Sequence, residues 1–268
     1  MTQSLMQTFD TPEAISVELN VEFGGARIHA GDRKTTVVDV RPASEGRRAD
    51  IEAAERTTVQ FAGGRLDIRA PKPRALGLFG KPGVIELVVQ VPIGSDVRGS
   101  SAYGDFDTTG RLGECFFKTA YGTLHVEDAG ALTAQTSAGN ITAGRVAGVL
   151  EITSSSGDLR IGESNGSANL KTSAGDIRVE QSGESLNART AYGAIHVARA
   201  IRGQLDLTAS YGDIDVAVAG GTATRLELTS NHGRVRNELD RVDDPSEPTE
   251  FLKVHAQVGY GDIRVRRA

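Results

Sequence analysis

The chain has 268 residues, of which 38% are hydrophobic and 24% are charged, and its formal net charge is −5 at pH 7. This balance argues against a general nucleic-acid-binding or anionic-membrane-binding protein. Its single cysteine, Cys115, excludes an internal disulfide framework and leaves no thiolate cluster for zinc.

The N-terminal stretch MTQSLMQTFDTPEAISVEL lacks a basic region followed by a continuous apolar run. Nowhere does the chain offer the roughly 18 consecutive apolar residues that a membrane-spanning helix needs. Together with the cysteine usage, these observations predict no transmembrane segment and a reducing, cytoplasmic location.

Residues 1–95 contain three stretches typical of strands around turn glycines: ISVELNVEFGGARIHAG, RTTVQFAGGRLDIRA and GVIELVVQVP. They do not keep the period of the later chain, so we expect a β cap or divergent first coils that cover the N-terminal edge. The polar segment RPASEGRRADIEAAER is predicted to hold a short helix or a loop.

The segment RALGLFGKPG lies in a predicted loop between two of these strands and carries Leu76, Leu78 and Phe79. Apolar residues at a loop tip dock on a partner or on the protein's own surface more often than they remain in water. These three residues are therefore candidate binding residues.

From residue 96 onward the chain repeats one phrase, seen in KTSAGDIRV, RTAYGAIHV and TASYGDIDV. The turn glycines of the copies are Gly104, Gly122, Gly139, Gly157, Gly175, Gly193, Gly212, Gly233 and Gly261, with successive gaps of 18, 17, 18, 18, 18, 19, 21 and 28 residues. In most copies apolar residues stand seven and five positions before the glycine and two and four positions after it. Each pair has the period of two that a strand requires, so one copy is two short strands joined at a glycine corner.

Such a copy is too short for two helices and a turn, so the repeat predicts an all-β fold, a parallel β-helix or β-solenoid of about 18-residue coils. Right-handed winding is favoured because strand–crossover–strand connections are overwhelmingly right-handed. The left-handed hexapeptide helix, with the same coil length, is the alternative. The predicted organisation is an N-terminal β cap over residues 1–95 and a regular solenoid over residues 96–268.

The segment ELDRVDDPSEPTE, residues 238–250, interrupts the rhythm with acids and prolines and is predicted to be a surface insertion between the last two coils. The final strand carries Arg264, Arg266 and Arg267. Charges there are expected to discourage open-ended stacking, which predicts a monomer or a small homo-oligomer.

The strand exit VPIGSDVRGSSAYGDF and the recurring phrases TSAGNI, SSSGDL, TSAGDI and SYGDI resemble the DUF4097 family of β-strand-repeat proteins, which are also described as candidate adhesins. The resemblance implies a parallel β-solenoid and links some members to bacterial cell-envelope stress or surface functions. No catalytic residues define the family, so the resemblance transfers none.

The position after the turn glycine is rich in Asp and Asn, including Asp158 and Asp176. These side chains are expected to hydrogen-bond the turn backbone. The nonapeptide phrase of calcium-binding β-rolls is missing, and the five histidines have no metal-site spacing, so we predict no metal and no cofactor. Two carboxylates on adjacent coils also leave open the alternative of a carbohydrate-active β-helix enzyme, a hydrolase or lyase.

Every tyrosine of the chain stands immediately before a turn glycine, and one histidine occupies the same place in its copy. These residues are Tyr103, Tyr121, Tyr192, Tyr211, His232 and Tyr260. They predict an aromatic edge that either stacks within the molecule or binds a protein partner or a carbohydrate. The sequence as a whole favours a non-enzymatic scaffold or binding module.

Overall fold

A computed structural model of the protein describes residues 5–71, 82–239 and 250–268. These residues form 22 strands and one helix, so the fold is all-β, as predicted. The chain divides into two compact units, Met1–Ser137 and Ala138–Ala268.

The first unit is built around one long strand, β2. Its elements are β1 (Leu5–Asp10), β2 (Ser16–Gly31), β3 (Thr35–Pro42), α1 (Arg48–Glu55), β4 (Thr58–Ala62), β5 (Arg65–Arg69), β6 (Ile85–Pro92), β7 (Asp96–Tyr103) and β8 (Phe106–Tyr121), with β9 (Leu124–Ala138) reaching the next unit. The first half of β2 pairs in parallel with β5 and β7, and its second half pairs in parallel with β6 and β8. The two halves meet at Gly24, whose φ of 142° is a conformation that favours glycine.

Antiparallel pairing is confined to three contacts of the first unit within the described ranges. β3 pairs antiparallel with β1 and β6, and β4 pairs antiparallel with β5. The helix α1 falls inside the polar segment for which a short helix or loop was expected, and its buried Asp50 accepts a hydrogen bond from the Val84 backbone N–H at 2.8 Å. The bond ties the helix to the start of β6.

The second unit contains short strands that pair only in parallel along the described chain. They are β10 (Ile141–Val146), β11 (Leu150–Ser156), β12 (Leu159–Ser164), β13 (Ala168–Ala174), β14 (Ile177–Ser182), β15 (Leu186–Tyr192), β16 (Ile195–Ala200), β17 (Gly203–Tyr211), β18 (Ile214–Val218), β19 (Thr222–His232), β20 (Val235–Asn237), β21 (Glu250–Tyr260) and β22 (Ile263–Arg267). The strands that precede a turn glycine pair with one another in one parallel β-ladder, and the strands that follow a turn glycine pair in a second parallel β-ladder.

Paired residues of neighbouring coils occupy the same position of the repeat, so like side chains stack through the core. One column runs through Ile141, Leu159, Ile177, Ile195, Ile214 and Ile263, each no more than 1% exposed. The positions that the sequence pattern assigned to the interior therefore form the core of this unit. Coils contribute to stability mainly through these contacts with their neighbours.

The last coils of the second unit are stacked in a different order from the chain. β21 pairs with β17 and with β19, while β22 pairs with β18 and with β20. The coil made by residues 250–267 thus lies between its two predecessors, and the β19–β20 coil is terminal. The expectation that arginines of the final strand close the end of the stack is wrong, because β22 is an interior strand and Arg264 pairs with Glu238 at 2.8 Å.

Candidate aromatic binding site

Four rings of the second unit form one continuous stack, which we call the C-terminal aromatic ladder: Tyr192, Tyr211, Tyr260 and His232. The ring centroids are 5.2 Å apart for Tyr192–Tyr211, 5.0 Å for Tyr211–Tyr260 and 4.4 Å for Tyr260–His232. The interplanar angles lie between 2° and 12°, so the rings are nearly parallel. The structure therefore brings together four of the residues predicted from the sequence.

The parallel register explains the ladder. Tyr192 is paired with Tyr211, which is paired with Tyr260, and His232 is paired with Tyr260 from the other side. Neighbouring strands of a sheet are about 4.8 Å apart, close to the spacing of the stacked rings. Each ring is followed by a glycine corner, such as Gly212 with a φ of 139°, which turns the chain and leaves the ring at the edge of the coil.

The tyrosines of this ladder are stacked and yet half exposed. Tyr192 is 62% exposed, Tyr211 48% and Tyr260 51%. Tyr192 is the most open because its neighbour on the other side is Ala174, whose methyl group covers little of the ring face. Along the ladder the ring faces cover one another, so the surface presented to solvent consists mainly of ring edges and phenolic hydroxyls.

A second stack, which we call the N-terminal aromatic ladder, lies in the first unit. It consists of Phe23, Tyr103 and Tyr121, with centroid separations of 5.3 Å and 4.9 Å and interplanar angles of 6° and 7°. Tyr103 is 51% exposed and Tyr121 is 53% exposed, while Phe23 is partly buried. Tyr103 also borders a cavity of about 410 Å³ whose lining includes Asp105 and Asp107.

Phe23 is a member of this ladder that sequence reasoning missed. It precedes Gly24 in the same way as each tyrosine precedes its glycine. Val17 and Leu19 stand seven and five residues before Gly24, and Ala26 and Ile28 stand two and four residues after it. This spacing is a full copy of the repeat, and it lies inside residues 1–95, the segment predicted to form a β cap or divergent first coils.

The aspartates after the turn glycines are engaged by backbone. The Asp176 N–H donates to Asp158 Oδ1 at 3.1 Å, and the Ala194 N–H donates to Asp176 Oδ1 at 2.8 Å. Asn140 plays the same role, since its Oδ1 accepts the Asp158 N–H at 2.9 Å. Each side chain thus accepts a hydrogen bond from the equivalent turn of the next coil, so these side chains have a structural role.

Two histidines each lie near one aspartate in a partly exposed pair. His196 Nδ1 lies 3.8 Å from Asp215 Oδ2, and His255 Nδ1 lies 3.5 Å from Asp206 Oδ1. Over residues 5–71, 82–239 and 250–268, no group of three His, Cys, Asp or Glu side chains is placed to hold a metal ion. Burial, with a smaller contribution from Asp96, raises the pKa of the Cys115 thiol to about 12.

The other candidate residues, Leu76, Leu78 and Phe79, lie outside the described residues. Among the residues that are described, no helix is long and apolar enough to cross a membrane. The candidate sites of this protein are therefore the N-terminal aromatic ladder of the first unit and the C-terminal aromatic ladder of the second unit.

A model of the Toastrack DUF4097 family matches residues 26–267. The chain belongs to the Toastrack DUF4097 family. Membership agrees with the resemblance seen in the turn phrases, and together with the parallel ladders it makes this Toastrack protein a β-solenoid. No curated protein matches the sequence.

Solved structures similar to this Toastrack chain include two candidate adhesins and one candidate lipid-binding protein. A candidate adhesin from Bacteroides fragilis shares 12% identity over 99% of this chain and 98% of its own, with a TM-score of 0.42. A candidate adhesin from Parabacteroides merdae shares 11% identity over 99% and 96%, with a TM-score of 0.43. A candidate lipid-binding protein from Parabacteroides distasonis shares 12% identity over 99% and 96%, with a TM-score of 0.41.

Proposed function

We propose that this Toastrack protein is a non-enzymatic binding module, a right-handed parallel β-helix of about 18-residue coils that holds a protein partner on its aromatic ladders. The observation that carries the proposal is the half-exposed stack of Tyr192, Tyr211 and Tyr260. Exposed aromatic rings that recur at one position offer a large contact area. The coil length is supported by the offset of 18 residues between bonded turns such as Asp158 and Asp176.

Tyrosine suits a protein interface for two physical reasons. Its ring buries a large area and has few torsions to immobilise, so it loses little conformational entropy when a partner binds. In these ladders each ring is already held by its neighbours, which lowers that entropic cost further. The hydroxyl at the rim of each ring adds a hydrogen-bonding group that a partner backbone can use.

The ring geometry favours a protein partner over a carbohydrate. A sugar ring packs best against the open face of an aromatic ring, whereas inside the C-terminal aromatic ladder the faces are covered by neighbouring rings. Among the described residues, only the two end rings keep one face open, Tyr192 beside Ala174 and His232 on the terminal strand β19. A protein surface can instead pack along the row of edges and hydroxyls, which is the larger exposed area here.

A non-enzymatic role is supported by the use of the aspartate column. Asp158 and Asp176, the pair that a hydrolase or lyase would require, each accept a backbone N–H of the next coil.

We also propose a cytoplasmic location, supported by the single cysteine, Cys115, which is buried. Cell fractionation followed by immunoblotting tests the location.

The partner is to be sought by pull-down with the full chain, and its affinity then measured for paired variants. Tyr192→Ala with Tyr211→Ala is expected to weaken binding by about 30-fold or more, since the loss of a single anchor residue costs about 2 kcal/mol or more. The matched control, Asp158→Ala with Asp176→Ala, should bind within about threefold of wild type. Retained binding by the tyrosine variant together with loss in the aspartate variant would reject the proposal and favour a carboxylate site.

A further inference from the structure

The terminal coil of the second unit leaves apolar residues uncovered. Val235 occupies the same column as Ile263 and Ile214, but it is 45% exposed, whereas those two are no more than 1% exposed. On β19, Leu226 and Leu228 are partly exposed, although their paired residues Val254 and Ala256 are fully buried. The end of the core is thus open at this coil.

The terminal strand β19 also has an open backbone edge. It is 11 residues long, and among the strands of the described ranges it pairs with β21 alone. A long unpaired edge is a template for another strand. Residues 240–249, which follow the terminal coil in the chain, read DRVDDPSEPT and offer one large apolar side chain, Val242, together with two prolines that cannot donate a hydrogen bond.

The sequence of β19 is complementary to itself in one antiparallel register. When Leu226 faces Leu226 of a second copy, Arg225 of each chain faces Glu227 of the other. A register shifted by one residue, in which Leu226 faces Glu227, would put outward residues against core residues, and a register centred on Glu227 would oppose two like charges. Arg225 is 71% exposed and Glu227 is 45% exposed, so both side chains are available for this pairing.

We propose that two copies of this chain associate through antiparallel pairing of their β19 strands, centred on Leu226. The pairing joins the open cores through Leu226 and Leu228 and forms two equivalent Arg225–Glu227 ion pairs. Within each chain Glu227 lies 3.8 Å from Arg225 and 3.4 Å from Lys253, and these exposed contacts are weak enough to rearrange. A two-fold interface closes on itself, so the product is a dimer and does not extend into a filament.

The proposal is tested with the full chain by sedimentation velocity at about 5–100 µM. Wild type is expected at twice the chain mass of 28.3 kDa. Arg225→Glu alone and Glu227→Arg alone each place like charges opposite one another and should be monomers. The control Arg189→Glu makes the same change on β15, an interior strand of the same ladder, and should remain a dimer.

Mixing separates the proposed register from general loss of structure. In an equimolar mixture the Arg225→Glu and Glu227→Arg chains again have opposite charges facing each other, so a heterodimer should form. The double variant carrying both changes should likewise be a dimer. A monomeric wild type, single variants that remain dimers, or a mixture of folded single variants that stays monomeric would each overturn the proposal. None of these outcomes depends on the aromatic ladders.

Discussion

Three glycines of the second unit allow two costs of a Gly→Ala substitution to be measured separately: steric overlap with a neighbouring coil and a left-handed backbone conformation. Gly175 has a φ of 146°, and a Cβ there would overlap the carbonyl oxygen of Gly157 and lie 2.6 Å from its carbonyl carbon. Gly221 has a φ of 79° but open space around it, and Gly220 has open space without a positive φ. We therefore expect Gly→Ala to be most damaging at Gly175, milder at Gly221 and harmless at Gly220.

The magnitudes follow from these contacts. An alanine held in the backbone conformation of Gly175 loses about 1–3 kcal/mol of stability. The steric overlap also pushes the neighbouring turns apart. This weakens the 2.8 Å hydrogen bond from the Gly157 N–H to the Ala174 carbonyl, at a cost of about 0.5–1.5 kcal/mol. Adding the remaining clash, we expect a loss of about 3–5 kcal/mol. At Gly221 the left-handed backbone costs about 1–2 kcal/mol. At Gly220 the reduced entropy of the unfolded chain stabilises by about 0.4–1 kcal/mol.

Thermal melts followed by far-UV circular dichroism distinguish the three variants. At about 2–4 °C per kcal/mol for a chain of this size, Gly175→Ala should lower Tm by about 6–20 °C. Gly220→Ala should raise it slightly. If Gly175→Ala melts within about 2 °C of Gly221→Ala, the close approach of the turns is wrong, and so is the explanation of why a glycine stands at each corner.

Ile177→Asp should unfold several coils because it places a carboxylate without a partner in the core between Leu159 and Ile195. The control Arg178→Asp, on the outer face of the same strand, should melt within a few degrees of wild type by circular dichroism. Because the pKa of the Cys115 thiol is about 12, little thiolate is present at pH 8, and an aromatic disulfide reagent should label Cys115 only after denaturation. Rapid labelling of the native protein would contradict the burial of this thiol. Asp158→Asn should stay close to the stability of wild type, since an amide oxygen can accept the same N–H and the exposed ion pair between Asp158 and Arg160 contributes little. Asp158→Ala should lose about 0.5–1.5 kcal/mol by urea titration. Equal stability of the Ala and Asn variants would show that this bond contributes nothing.

The sequence was most informative where every copy carries the same signal. The spacing of apolar residues around Gly157 and Gly175 was enough to predict strands, corners and core positions, because period-two burial and a glycine turn leave little freedom. The aromatic stack followed from the position of Tyr192 and Tyr211 before their glycines. The ion pairs on the outer faces carry no such signal, since exposed charges choose partners through local rotamers.

The order of the last coils was missed for a physical reason. Like copies have similar strands, so the pattern shows that coils stack but not which copies become neighbours. One residue does carry a signal. Four positions after Gly233 the chain has Asn237, where the copy at Gly261 has Val265. A polar residue at a core position is tolerated in a coil that has an open side, and Asn237 is indeed exposed in the terminal coil.

The stacking order at this end has a consequence for how the chain is made. A ribosome releases the β19–β20 coil before residues 250–267, yet that coil pairs only with β21 and β22 in the described structure. The bond between the Asp262 N–H and Asp213 spans 49 residues, against 18 for the turns of earlier coils. Closing longer loops is slower, so the coils up to β18 can assemble during translation, whereas the last two must wait for the final strands to emerge.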